Sequence, residues 1–408
     1  MSRSKKLGGW LRRHSLTLVA ALGGAAGVAY AAGHRAPPVQ EGPTLISVIQ
    51  KAMPPTPEKD SVQDTVQIAL VLDTSGSMDG LINQARSHLW NMVDQMGGMT
   101  RLVDGKIRSV RVELALYEYG NDTISSEQGY IRQVIPFTGD LDSVSEKLHG
   151  LFTNGGSEFA GQAIKTAVEQ LPWSKDKDTM KFVFLAGNEG FDQGPVSAQV
   201  AMELAQAKDV NVQLIFCGTQ DGTWESAAKL AKSDLMTIDH NKVAVHIHAP
   251  QDDEILRLGD ELNSTYMAYG RAGEASIQRQ KAADMSSAKM SKKVAIERMQ
   301  IKSKKSYDNG NWDLVDAQDK DANFLAKESE ENLPAEMRGK TLEEKKALVD
   351  AAAKKRNELK AKIAELEKAR VVHIQNEKMK NGVKDEASLD SELMKSTRKT
   401  AAKKGYKF

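Results

Sequence analysis

Apolar side chains follow two rhythms between residues 61 and 270. Six short runs, VQIALVL, VRVELALYEYG, YIRQVIPF, KFVFLAG, NVQLIFCG and VAVHIH, are dense in branched and apolar residues, as strands covered on both faces are. Between them apolar residues recur every three or four positions, which predicts helices over about 81–96, 142–151, 158–171, 197–208 and 224–232. Strands alternating with helices of ten to fifteen residues form crossover units, so the expected fold class is α/β, with a mostly parallel sheet flanked by helices. YIRQVIPF follows VRVELALYEYG through a turn-rich stretch and is expected as an antiparallel edge strand. The amphipathic stretch PQDDEILRLGDELNSTYMAYG closes this domain.

Outside these limits the pattern changes. Residues 32–60 are rich in proline and lack periodicity, as a linker does. From Arg271 the text is Ala, Lys, Met, Ser and Gln, which predicts a polar helix, and SYDNGNWDLVDA then supplies a docking or capping element around Trp312, Leu314 and Val315. Leu342, Val349, Ala352, Leu359, Ile363 and Leu366 follow at heptad-like intervals, interrupted by Arg356 and Arg370. This partly coiled-coil-like seam also fits a solvated single helix or a hairpin. The α-helical C-terminal extension is expected over 271–390 and a basic disordered tail over 391–408.

Charge sharpens the layout. The formal net charge is +1, but residues 1–35 hold six basic residues and no acid, and 340–408 hold nineteen basic against eleven acidic, so the middle is acidic. The first 31 residues combine a basic head, an apolar stretch from Leu16 to Ala29 and small residues at Ala29 and Ala31. That is the layout of a secretory signal, with an uncleaved N-terminal membrane anchor as the alternative. An exported, periplasmic or envelope-associated protein is expected, and no nucleic-acid partner. Cys217 is the only cysteine, sits in an apolar run and is read as an inert core thiol. No nucleophile elbow, phosphate loop or paired-cysteine motif occurs, and His88, His246 and His248 are read as packing residues, so no enzyme is expected.

The candidate chemistry lies where VQIALVL runs into DTSGSMDG. In a parallel sheet, ligands bind beyond the carboxyl ends of strands. Asp73, Ser75 and Ser77 alternate along this loop and offer oxygen only, which selects a hard cation such as Mg²⁺ (or Mn²⁺). The three residues match the D-x-S-x-S motif of von Willebrand factor type A (vWA) domains, and the preceding strand and following helix match its context, so residues 61–270 resemble that family. The resemblance implies a six-stranded Rossmann-like sheet and a metal-ion-dependent adhesion site (MIDAS) completed by two further loops. Ser157 in TNGGSEF stands where the family usually has Thr, with an ordinary helix N-cap as the alternative. The third loop departs from the family: Asn188 and Glu189 stand where Thr-Asp-Gly is usual, and both are carried as candidate ligands. The phrases LYEYGND, LAGNEGFDQGPV and YDNGNWDLVDA also resemble exported bacterial vWA proteins with a helical extension. The function expected is a non-enzymatic, metal-dependent protein-binding module of the cell envelope whose ion captures an acidic residue of a protein partner, with self-association through the C-terminal helices as a further contact. The alternative is a scaffold or chaperone-like subunit of an envelope assembly acting through its helical tail.

Overall fold

A computed structural model of the 408-residue chain describes residues 63–239, 241, 246–382 and 388–408. The signal-like segment and the whole of the linker therefore lie outside the described residues. In chain order the first elements are β1 (Asp64–Asp73), α1 (Asp79–Gly97), β2 (Thr100–Val103), β3 (Lys106–Tyr119), β4 (Ile131–Thr138), α2 (Leu141–His149), α3 (Ala160–Gln170) and β5 (Met180–Gly187). They are followed by α4 (Ala198–Ala207), β6 (Asn211–Phe216), α5 (Gly222–Ala231), β7 (Met236–Thr237) and α6 (Asp252–Asn263). The sheet runs β7-β6-β5-β1-β3-β2-β8, where β8 is Tyr406–Lys407, and β4 pairs antiparallel with β3 as the expected edge hairpin. β1 is parallel to both its neighbours, β3 and β5.

Alternation along the central strands sorts two cores. Val66, Ile68, Leu70 and Leu72 face one side with α1, α2 and α6. Ala69 and Val71 face the other with α3, α4 and α5. Both faces are covered, which explains why these strands read as continuous apolar runs. The last expected strand differs. The last parallel strand is the two-residue β7, which pairs with β6, and the described part of VAVHIH, His246–His248, is irregular, its earlier residues lying outside the described set.

The extension comprises α7 (Gly270–Met290), α8 (Lys292–Ser303), α9 (Leu314–Lys320), α10 (Phe324–Lys327), α11 (Leu342–Asn381) and α12 (Leu389–Lys403). It is not a separate arm, because Val294, Ile296, Met299, Leu359, Ile363, Leu389 and Leu393 share the first core with β1 and α1. The polar look of 272–306 conceals this. Arg298, wholly buried, pairs with Asp142 at 2.8 Å and Asp284 at 2.7 Å and stacks 4.4 Å from the Trp90 ring centre, while buried Lys302 pairs with Asp284 at 2.8 Å.

The heptad-like residues of α11 also serve this chain: Val349, Leu359 and Ile363 are buried within it. The two arginines that interrupt the seam are buried with them. Arg356 binds Asp313 at 2.6 Å and Asp316 at 2.8 Å, and Arg370 binds Asp252 at 2.7 Å. α11 is capped by reciprocal bonds between Thr341 and Glu344 and by left-handed Gly382, and its 40 residues span about 60 Å.

The tail expected to be disordered is ordered instead. α12 buries Leu389, Leu393, Met394 and Ala401, and β8 pairs antiparallel with β2. An apolar stripe at helical spacing among many lysines supplies the stabilisation, at roughly 1.5–3 kcal/mol for each large side chain buried.

Candidate metal site at the end of the central strand

β1 and β5 deliver their carboxyl ends side by side, so Asp73 and Gly187 bring the first and third loops together. Asp73 is wholly buried. Its Oδ1 accepts the Ser75 amide at 2.8 Å, which curls the loop so that Ser75 lies beside it. The second loop is bound to the first through backbone: the Gly76 amide donates to the Gly155 carbonyl at 2.5 Å and the Asn154 amide to the Thr74 carbonyl at 3.0 Å. Close approach makes two glycines necessary. A Cβ at Gly156 would sit 1.7 Å from the Gly120 carbonyl oxygen, and Gly120, at φ +76°, would place its Cβ 2.9 Å from Asp73 Oδ1.

Three oxygens in this pocket have no hydrogen-bond partner although they are buried: Asp73 Oδ2, Ser75 Oγ and Asn188 Oδ1. Buried polar atoms are nearly always paired, so three orphans contributed by two loops are a donor set suited to a hard cation. Burial pushes the Asp73 carboxyl up to about 7, against the pull of Ser75 and with the charge of Glu158 adding to the rise. An ion there would restore the anion.

The predicted residues divide as follows. Asp73, Ser75, Ser77 and Asn188 come together, with Asn188 Nδ2 donating to Ser77 Oγ at 3.0 Å. Ser157 is half-buried in the second loop, next to Gly156. It is not a helix N-cap, since α3 begins at Ala160 with Phe159 in the cap position. Glu189 is exposed, and its backbone carbonyl accepts the Trp224 indole at 2.7 Å.

Glu158 was not among the predicted residues, and the structure places it at the site. It is 7% exposed, and its Cγ lies 3.0 Å from a Cβ built at Gly120, whose other neighbours are Asp73 Oδ1 and Ser75 Cβ. Burial raises its carboxyl, and the charge of Glu189 adds to that. The signal was an acid directly after Ser157, which reads equally as a first-turn acid of α3. Behind the site, Thr74 Oγ1 donates to buried Glu118 at 3.2 Å, and Arg132 Nε donates to the same carboxylate at 2.7 Å, so this pair is internally neutral. Cys217 is buried and its thiol pushed up by burial, as an inert core thiol should be.

The sequence matches the family described as von Willebrand factor type A domain over residues 67–248. No curated protein is matched. Among solved structures, proximal thread matrix protein 1 from the mussel byssus with a zinc-occupied MIDAS motif is 14% identical, with a TM-score of 0.34 and coverage of 45% of this chain and 44% of that one. The SpRpn10 VWA domain is 15% identical, with a TM-score of 0.31 and coverage of 43% and 88%. The pilus adhesin SpaC from Lactobacillus rhamnosus GG is 12% identical, with a TM-score of 0.31 and coverage of 45% and 29%. This chain thus spans less than half of the mussel and pilus proteins it resembles. With the motif, the sheet and the family match in agreement, residues 67–248 of this chain are a von Willebrand factor type A domain.

Proposed function

We propose that this protein is a non-enzymatic, metal-dependent binding module in which Asp73, Ser75, Ser77 and Ser157 hold Mg²⁺ or Mn²⁺, with Asn188 completing the set directly or through water. The observation that carries the reading is the group of three buried, unpartnered oxygens on Asp73, Ser75 and Asn188. The bound ion supplies a coordination position for a carboxylate of an acidic protein partner. Serine and asparagine ligands leave that ion poorly neutralised, and Glu158 and Glu189 contribute charge at its margin. No general base beside a nucleophile is arranged here, which favours capture over catalysis.

An exported, envelope-associated location follows from the N-terminal residues and belongs to the same proposal. Among the described residues no helix is long and apolar enough to cross a membrane. The scaffold reading draws on α11, where Val371, Val372 and Met379 are exposed at 45%, 56% and 74% and are available for self-association.

Calorimetric titration of the purified chain with Mg²⁺ and Mn²⁺, followed by capture of acidic partners with and without chelator, tests the proposal. Divalent binding that disappears in Asp73→Ala, together with chelator-sensitive capture, is expected. Absent divalent binding, or capture indifferent to both chelator and Asp73→Ala, sinks it in favour of the scaffold reading.

A further inference from the structure

A second set of metal-type ligands lies outside the MIDAS-like loops. His246 and His248 were expected to pack along a strand, but the chain there is irregular and both rings converge on Asp252, the first residue of α6. His246 Nε2 is 3.2 Å and His248 Nδ1 3.3 Å from the same oxygen, Asp252 Oδ2, and the three ligand atoms lie within 4.8 Å of one another. Neither ring nitrogen of His246 has a hydrogen-bond partner, though both atoms are buried. The two histidine-to-aspartate separations match the ligand-to-ligand edge of a tetrahedron with metal bonds near 2.0–2.1 Å, about 3.3 Å.

The carboxylate is held as a ligand should be. Asp252 is wholly buried, its Oδ1 accepts Arg370 Nε of α11 at 2.7 Å, and its Oδ2 accepts the Ala249 amide at 3.0 Å. Such outer contacts fix the orientation of a metal-binding carboxylate. Burial lowers the His246 pKa, with Arg370 and His248 adding to the drop against the pull of Asp252.

We infer that His246, His248 and Asp252 form a binding site for a late first-row divalent ion, zinc in the first place, clipping the segment before α6 to the α11 helix through Arg370. Two imidazoles and one carboxylate suit zinc far better than Mg²⁺, and three protein ligands leave a fourth position open to water or to a side chain of another molecule. The Arg370 charge opposes the ion, so the affinity expected is micromolar, well short of a structural zinc finger.

Zn²⁺ titrated into the full chain in excess Mg²⁺, read by competition with a chromophoric chelator, tests this. One equivalent bound more tightly than about 10 µM is expected. His248→Ala, whose side chain is 65% exposed and is therefore removable without disturbing the core, and His246→Ala should each weaken it at least tenfold. Asp73→Asn should leave it unchanged, which separates this site from the one at β1. Co²⁺ in place of Zn²⁺ should give tetrahedral visible absorption in the wild type and lose it in His248→Ala. No zinc binding in that range, zinc binding unaltered in His248→Ala, or zinc binding lost in Asp73→Asn overturns the inference. If circular dichroism shows His246→Ala to be unfolded, His248→Ala alone decides.

Discussion

Replacing Asp73 by Asn tests whether the β1 site is built for a cation at the expense of the metal-free fold. The carboxyl is wholly buried, and burial pushes it up to about 7 from an ordinary 3.8. With a raised folded value, the native state is at a disadvantage wherever both states are ionised. That disadvantage is fully present above about pH 7, shrinks as the pH falls and is gone below 3.8. At 1.36 kcal/mol per tenfold, it amounts to about 4 kcal/mol. Asn keeps an oxygen to accept the Ser75 amide and carries no charge, so at pH 8 in chelator Asp73→Asn should be the more stable protein by about 2–4 kcal/mol. In thermal scans that corresponds to a gain of at least about 5 °C. Mg²⁺ at a hundred times its dissociation constant returns about 2.7 kcal/mol to the wild type and nothing to the variant. The two melting temperatures should converge in Mg²⁺ at pH 8; without metal the gap should shrink to less than about half by pH 5 and close as the pH falls to about 3.8. Should Asp73→Asn melt lower than wild type at pH 8 in chelator, or Mg²⁺ stabilise both proteins equally, the burial argument fails.

Three further outcomes are expected. Arg356→Ala leaves wholly buried Asp313 and largely buried Asp316 without the guanidinium they share, and should cost about 3–5 kcal/mol by urea denaturation, less at lower pH because Asp316, already raised by burial and by the charge of Asp313, takes up a proton; a cost below about 1 kcal/mol contradicts it. Gly120→Ala forces a Cβ to 2.9 Å from Asp73 Oδ1 and 3.0 Å from Glu158 Cγ at φ +76°, and should weaken Mg²⁺ binding at least tenfold in calorimetry while circular dichroism stays unchanged. Asn188→Asp adds an anion beside Ser77 and should raise Mg²⁺ affinity while lowering affinity for an acidic partner, whereas the same change with Glu189→Gln present should show whether the exposed glutamate already supplies that charge.

The sheet domain was legible because two-sided burial leaves a dense apolar signature, and each expected helix through α5 falls within a few residues of its place. Strand β2 was not among the expected runs, although an Asp104–Gly105 hairpin turn, with φ of 50° and 76° at the two residues, marks it. The motif residues Asp73, Ser75 and Ser77 were visible because a strand end followed by alternating oxygens has few other uses. Glu158 was hidden, because an acid ahead of a helix fits a capping role equally well, and only the close approach of Gly120 shows which way its stem lies. The extension misled through its charges. Arg298, Lys302, Arg356 and Arg370 read as solvated positions, yet each is buried against a carboxylate distant in sequence, Asp142, Asp284, Asp313 or Asp252, and such pairings leave no local pattern. The convergence of His246 and His248 depended on an irregular turn where apolar alternation suggested a strand.

β1 enters the fold at Asp64 and ends at Asp73, ten residues or about 33 Å later, with the metal loops at one end and the C-terminal strand at the other. There Tyr406 Oη donates to Asp64 Oδ2 at 3.0 Å, and Arg101 Nε donates to the same oxygen at 2.8 Å. A partner held at Asp73 and pulled against the chain preceding Asp64 would therefore load a single strand along its length. Its bonds to β3, across ten facing residues, and to β5, across seven, would then be sheared together, since none lies where it can be peeled open one at a time. The central strand is placed as a tension member, held by a neighbour on each side along its length and clamped where force would enter the domain.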